Sequence, residues 1–273
     1  MTSIFAGTRI AAPVVDIARE GTRGFSMGGG DGVLYVGVPE GVIAITTPRI
    51  PLMPNGIVLP DHAWPASTKR GDDAILIPGL LRLGERDIVL KPFRTYDLEI
   101  TGPVRAGELL SRLDSGAEDV GTAEDPVLDN GLSELARAIA GRNRHTIAEI
   151  ALSLIGRGGG LTPEGDDLVV GCLATAAALG MPRSLREAFV PPDAETRTTG
   201  LSATLLRHAV AGRVVAPLLD VLCGPEQVAS DIKKLVHLGH STGRAYVRSV
   251  RAVAETVETA RLNEVASFID ERK

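Results

Sequence analysis

From Ile10 to about Ile100 the chain sets short apolar runs between Gly, Pro, Asn and Asp: Gly32-Val-Leu-Tyr-Val-Gly-Val38, Gly41-Val-Ile-Ala-Ile45, Gly56-Ile-Val-Leu59, Ala74-Ile-Leu-Ile77 and Asp87-Ile-Val-Leu90. Runs of this length between turn formers predict strands and hairpins. Prolines at 39, 48, 51, 54, 60, 65, 78 and 92 exclude long helices there, because each removes a backbone donor and restricts the residue before it. The expectation is a small β-barrel or sandwich with one short helix, over residues 1–105. Gly28-Gly-Gly-Asp-Gly32 fits a hairpin turn, since a strand and not a helix follows it.

Residues 106–130 read as a connection, acidic and broken by Gly116, Gly121 and Pro126, with a short helix near Ala106–Leu113. From Gly131 onward the period becomes helical, so residues 131–273 are expected to form a helical domain. Thr146 and Glu149 have capping-box spacing, and Ile147, Ile150, Ala151, Leu154 and Ile155 follow on one helical face, up to Gly156. Asp167–Leu179 is apolar on nearly every side and is closed by Gly180 and Pro182, the pattern of a central helix. Further helices are predicted over Leu201–Ala211, Val214–Leu222, Glu226–Leu238 and Ser241–Leu262. The fold class is α+β: a β-rich N-terminal domain followed by an α-helical C-terminal one.

Composition narrows the function. The 273 residues hold ample apolar content for a core, and a net charge of −5 with 3% aromatic residues provides neither a broad basic footprint nor a stacking surface for nucleic acid. No apolar run approaches the roughly 20 residues of a membrane span, and the N-terminus lacks a secretory pattern, so the default address is the cytoplasm. Cys172 and Cys223 lie far apart and read as two buried thiols. The expected ligand is a small molecule, with no nucleic acid and no membrane.

The chemical signals sit at loop-to-helix junctions. In Gly158-Gly-Gly-Leu-Thr-Pro-Glu-Gly-Asp-Asp167 the glycines admit close backbone approach, Thr162 is suited to an N-cap and Pro163 to the first helical position. Free N–H groups there, with the helix dipole, suit a phosphate or carboxylate, which places Gly159, Gly160, Thr162 and Gly165 in a substrate-binding loop. Asp166 and Asp167 in the first turn would repel an anion unless a proton or a cation such as Mg²⁺ intervenes. Acidic residues also favour helix starts for purely structural reasons. No Lys-Ser/Thr follows the glycines, so this is not an ATP-binding phosphate loop, and the helical element before it argues against a dinucleotide fingerprint.

A second junction, Leu238-Gly-His-Ser-Thr-Gly243, lets Gly239 end one helix and Ser241 cap the next, with Thr242 behind it. His240 at this turn is the best candidate for a proton donor, although a lone histidine there is more often a surface or capping residue. The third cluster, Thr198-Thr-Gly-Leu-Ser202, offers Thr199 and Ser202 as oxyanion donors or as ordinary caps. His145, His208 and His237 read as structural or exposed. The two Gly-rich loops are expected to share one site, with His240, Asp166 and Asp167 as its catalytic candidates.

Gly159-Gly-Leu-Thr-Pro-Glu-Gly-Asp-Asp-Leu-Val-Val-Gly171, Thr199-Gly-Leu-Ser-Ala-Thr-Leu-Leu-Arg-His-Ala-Val-Ala-Gly212 and Gly239-His-Ser-Thr-Gly243 together resemble the AllH-type family, long carried as a domain of unknown function. That family includes the AllH subunit of oxamate carbamoyltransferase from anaerobic allantoin breakdown. The resemblance implies carbamoyl chemistry in a complex with partner subunits: oxalurate plus phosphate exchanging with oxamate plus carbamoyl phosphate. The residues themselves call for no cofactor, with Mg²⁺ left open at Asp166 and Asp167. The sequence departs from the family's usual pattern at Glu164, where a small residue is common, and at Arg244-Ala245, where an acidic residue often follows the glycine. Two other readings remain open at this point: a non-catalytic metabolite-binding or scaffold subunit, and a metal-dependent hydrolase built on Asp166 and Asp167.

Overall fold

The computed structural model describes residues 8–116, 121, 125–224 and 228–270. The chain divides into two compact units, one of residues 1–98 with 214–216, the other of residues 99–213 and 217–273. The class is α+β, with strands in the N-terminal part and helices in the C-terminal part.

Among the described residues of the first unit, nine strands form one curled sheet: β1 (Thr8–Ala11), β2 (Thr22–Gly30), β3 (Val33–Val38), β4 (Gly41–Thr46), β5 (Gly56–Val58), β6 (Asp73–Ile77), β7 (Leu80–Leu83), β8 (Arg86–Val89) and β9 (Phe93–Tyr96). Their order is β8-β7-β6-β2-β3-β4-β5-β1-β9, antiparallel except at β4–β5 and β1–β9. The one short helix, α1 (Ala12–Glu20), turns Val14 and Ala18 into a core of Ile10, Leu34, Ile45, Ile57, Leu76 and Leu90. A half-barrel of a single sheet thus replaces the two-layer sandwich that the pattern also allowed.

The Gly28–Gly32 run is only partly a turn. Gly28, Gly29 and Gly30 continue β2, and the reversal falls on Asp31 and Gly32, whose φ of 76° suits glycine. The extra strand length has a steric cause: a Cβ on Gly24 would sit 1.9 Å from the Gly37 carbonyl oxygen, and one on Gly29 would sit 2.0 Å from that of Val33. Glycine lets β2 lie this close to β3, and the same glycines hide the strand from a reading by hydrophobic alternation.

The second unit contains α2 (Ala106–Ser115), α3 (Pro126–Ala140), α4 (Arg144–Leu154), α5 (Glu164–Ala178), α6 (Arg183–Arg186), α7 (Gly200–Val210), α8 (Ala216–Cys223, from Pro217 onward), α9 (Val228–Val236) and α10 (Thr242–Asp270). The expected helix start at Glu226 lies outside the described residues. Helix α3 begins ahead of Gly131, because Asp125 caps it by accepting from the Val127 N–H and Pro126 opens it. Helix α4 is capped by Asn143, whose side chain accepts from the Thr146 N–H at 3.2 Å, and not by a Thr146–Glu149 box. Glu149 instead meets His145 in an exposed i,i+4 pair.

Helix α5 is buried along almost its whole length and packs against α10, α7, α3 and α4, the central position its all-round apolar surface demands. Two glycines permit the approach. A Cβ on Gly165 would lie 2.1 Å from the Leu154 carbonyl oxygen, and one on Gly171 would lie 2.6 Å from Ser249 Cβ on α10. Both cysteines are free, and burial pushes the Cys172 thiol up to about 12. No helix of the described residues is long and apolar enough to cross a membrane.

The α5–α10 contact yields a prediction about sign. In an exposed helix Gly→Ala stabilises by about 1 kcal/mol, whereas overpacking a filled crossing costs about 1–3 kcal/mol. Gly171→Ala is expected to destabilise, because its methyl group would enter space held by Ser249. Urea unfolding measures the difference, and a stabilised variant would show that the crossing is looser than described.

Candidate functional site

The site lies within the helical unit, where the starts of three helices meet. After α4 the chain turns at Gly156, with φ of 83°, runs through Gly158–Gly160 and enters α5 at Glu164 with Pro163 in the cap position. The predicted cap is displaced: Thr162 stands one residue too early, and its hydroxyl lies 3.2 Å from that of Thr242, the first residue of α10. The two Gly-rich loops are therefore adjacent. Gly239, with φ of 64°, ends the segment before His240, as its sequence position implied.

The start of α7 joins the same place. Thr199 is its N-cap, accepting from the Ser202 N–H at 3.1 Å, and its own hydroxyl donates to the Leu161 carbonyl at 2.5 Å. The capping reading of Thr199 is thus correct, and the residue also ties the Gly-rich loop to α7. Ser202 is buried one turn along. Ser241 is partly exposed and His240 is exposed at the α10 junction. Gly159 and Gly160 face open space, with no atom within 4 Å of the position a Cβ would take. Gly165, by contrast, is a packing glycine, its Cβ position filled by α4.

The two aspartates separate into different roles. Asp166 is fully buried; its Oδ1 accepts from the Gly156 N–H at 2.7 Å and its Oδ2 accepts from the Thr198 hydroxyl. Both oxygens are engaged within the chain, so Asp166 pins the loop to the approach of α7. Asp167 is 1% exposed, and its Oδ2 has no hydrogen-bond partner. Burial holds the Asp167 carboxyl well above the usual carboxylate range, against the opposing hydrogen bonds from Thr242 and Thr162, with the charges of Asp166 and Glu164 pushing it further up. Among the described residues, no group of three or more His, Cys, Asp or Glu side chains is placed to hold a metal ion.

Sequence reasoning passed over three participants. Thr198 stood in the cluster read as oxyanion donors or caps, with no link to Asp166. Tyr246 is buried, stands near Asp167, and is raised well above the ordinary phenol value by burial and by the nearby Asp167 and Asp166 charges. The spacing held a signal, since Thr242 and Tyr246 stand i,i+4 on one helix face. Arg248, 8% exposed, binds Glu164 Oε1 at 2.7 Å and also pairs with Asp129 of α3. Glu164, the first residue of α5, is thus held in place by Arg248. Among the other histidines, burial and the nearby Arg213 and Arg207 bring His208 down to about 4, and His237 Nδ1 lies 2.7 Å from the Lys233 carbonyl oxygen.

Residues 154–252 match the model of the family described as oxamate carbamoyltransferase subunit AllH. The matched stretch runs from the last residue of α4 through α5 and α7 into α10, and so includes all three helix starts. The resemblance carried by the motifs holds over this stretch. No solved structure matches the chain.

Asp167 sets a pH dependence of stability. Its folded value is raised, so its contribution is fully present below the unfolded value of about 3.9 and is lost as pH rises towards the folded value, the unfolded chain ionising first. Asp167→Asn cannot ionise. The melting temperature of this variant relative to the wild type is expected to rise as pH increases from about 4 to 7, and parallel curves across that range would refute the assignment.

Proposed function

We propose that this chain is a subunit of a carbamoyltransferase-type enzyme and that the joined loops bind a small anionic carbamoyl compound or its phosphate co-substrate. The observation that carries the reading is the Thr162–Thr242 contact, which brings two Gly-rich helix starts together inside the stretch matching the AllH model. The family's description as a subunit favours partner chains in the working enzyme.

The chemistry follows from the reaction the family name implies. In phosphorolysis of oxalurate, a phosphate oxygen attacks the carbamoyl carbon, the C–N bond to the oxamate half breaks, and the departing nitrogen takes a proton. Such a step needs an anion cradle, donors for the tetrahedral oxyanion and a proton source. The open backbone at Gly159 and Gly160 serves as the cradle, with the hydroxyls of Thr162, Ser241 and Thr242 as donors. His240, exposed at the edge of the loop, is the proton source. Asp166, Thr198 and Thr199 hold the loop in place, and none of them is asked to touch substrate.

Thr162→Val and Thr242→Val preserve shape and remove the hydroxyls. In the assembled enzyme each is expected to lower formation of carbamoyl phosphate from oxalurate and phosphate by about tenfold or more, equivalent to about 1.4 kcal/mol, with melting temperatures little changed. Turnover unaffected by both substitutions would remove the loops from catalysis and leave a scaffold role as the better reading.

A further inference from the structure

Three observations meet at Asp167. Its side chain is 1% exposed in the first turn of α5; Thr162 and Thr242, the residues joining the two loops, stand near its carboxyl; and its Oδ2 is without a hydrogen-bond partner. Buried polar atoms are nearly always satisfied, so an unpartnered carboxyl oxygen at the joined helix starts marks a place where a ligand atom would complete the hydrogen bonding.

The surroundings determine what that oxygen offers. On α5 the nearby titratable groups are Asp166 and Glu164; on α10 they are Tyr246, which stands near Asp167, and Arg248, which is paired with Glu164 and with Asp129 of α3. Arg248 is therefore already bound to carboxylates, and the neighbours on α5 are acidic. Burial among acidic groups favours the neutral acid, and a carboxylic acid kept neutral in an enclosed site is a hydrogen-bond donor.

We propose that Asp167 is a ligand-contacting residue of this site, its Oδ2 donating a hydrogen bond to an oxygen of the bound anion alongside Thr162 and Thr242. This rests on the anion-site reading above and adds to it the group that distinguishes an oxyanion from a ligand with only N–H groups to present. An O–H donor to an anionic oxygen makes a short, charge-assisted bond, so its removal is felt directly in affinity.

The test is isothermal titration of the full chain with sulfate and, separately, with oxamate, using the wild type, Asp167→Asn and Asp167→Leu. Asn keeps an N–H donor and Leu keeps the approximate volume without one. Affinity in Asp167→Asn is expected to stay within about threefold of the wild type, and in Asp167→Leu to fall by about tenfold or more. Undiminished binding by Asp167→Leu, or equal loss in both variants, would overturn the proposal. A second measurement is independent of whether Asp167→Leu folds: the infrared C=O stretch of a protonated carboxyl, present in the wild type and absent in Asp167→Asn, should shift when sulfate is added. A band that sulfate leaves unmoved would equally overturn it. If the wild type binds neither anion, the anion-site reading fails together with this inference; if binding occurs and is abolished by Gly160→Val but not by Asp167→Leu, only this inference fails.

Discussion

The close crossing of α5 and α10 is the constraint from which the site follows. At Gly171 there is no room for a side-chain carbon, because Ser249 occupies that space, and the Ser249 hydroxyl closes the contact by donating to the Leu168 carbonyl at 3.0 Å. Two helices held this tightly bring their N-terminal ends to a common place, and the loops before them must meet. The contact between Thr162 and Thr242 is a consequence of that packing. Helix α7 is then tied in by two hydroxyls, Thr198 to Asp166 and Thr199 to the Leu161 carbonyl, so the loop is fastened at both ends while Gly159 and Gly160 remain open.

This arrangement gathers the positive ends of helix dipoles, which favours an anion. It also buries acidic residues in the same turn, which opposes one. The two effects are reconciled by dividing the work. Asp166 satisfies donors of the framework, and Asp167 is held by burial towards its neutral form, so that little negative charge faces the loop. The Arg248 bridge to Glu164 and Asp129 neutralises the remaining carboxylates nearby and secures the start of α5 to α3. Small residues and hydroxyls at helix ends do most of this.

Periodicity made much of the fold legible. The change from short β runs to helical spacing located the two structural classes, and α5 was recognisable as central because it is apolar on every side. What escaped had specific physical causes. Strand β2 was concealed by glycines selected for close approach to β3, and the caps of α4 and α5 shifted because Asn143 and Pro163 occupy the extended positions that Thr146 and Thr162 seemed to claim. Adjacent aspartates look equivalent in sequence, yet one helical step turns Asp166 towards Gly156 and Thr198 and Asp167 towards Tyr246. The candidate site was therefore legible as a set of loops, while the partner of each side chain depended on helix crossings that spacing alone does not encode.

The central claim is that the joined helix starts form one anion site. Crystals soaked in selenate, whose selenium is located by anomalous scattering, test it most directly. The account predicts an anomalous peak at the Gly159–Gly160 backbone, with selenate oxygens in hydrogen-bonding reach of Thr162 or Thr242. Selenate bound only elsewhere on the protein, with this loop empty in well-ordered crystals, would contradict it.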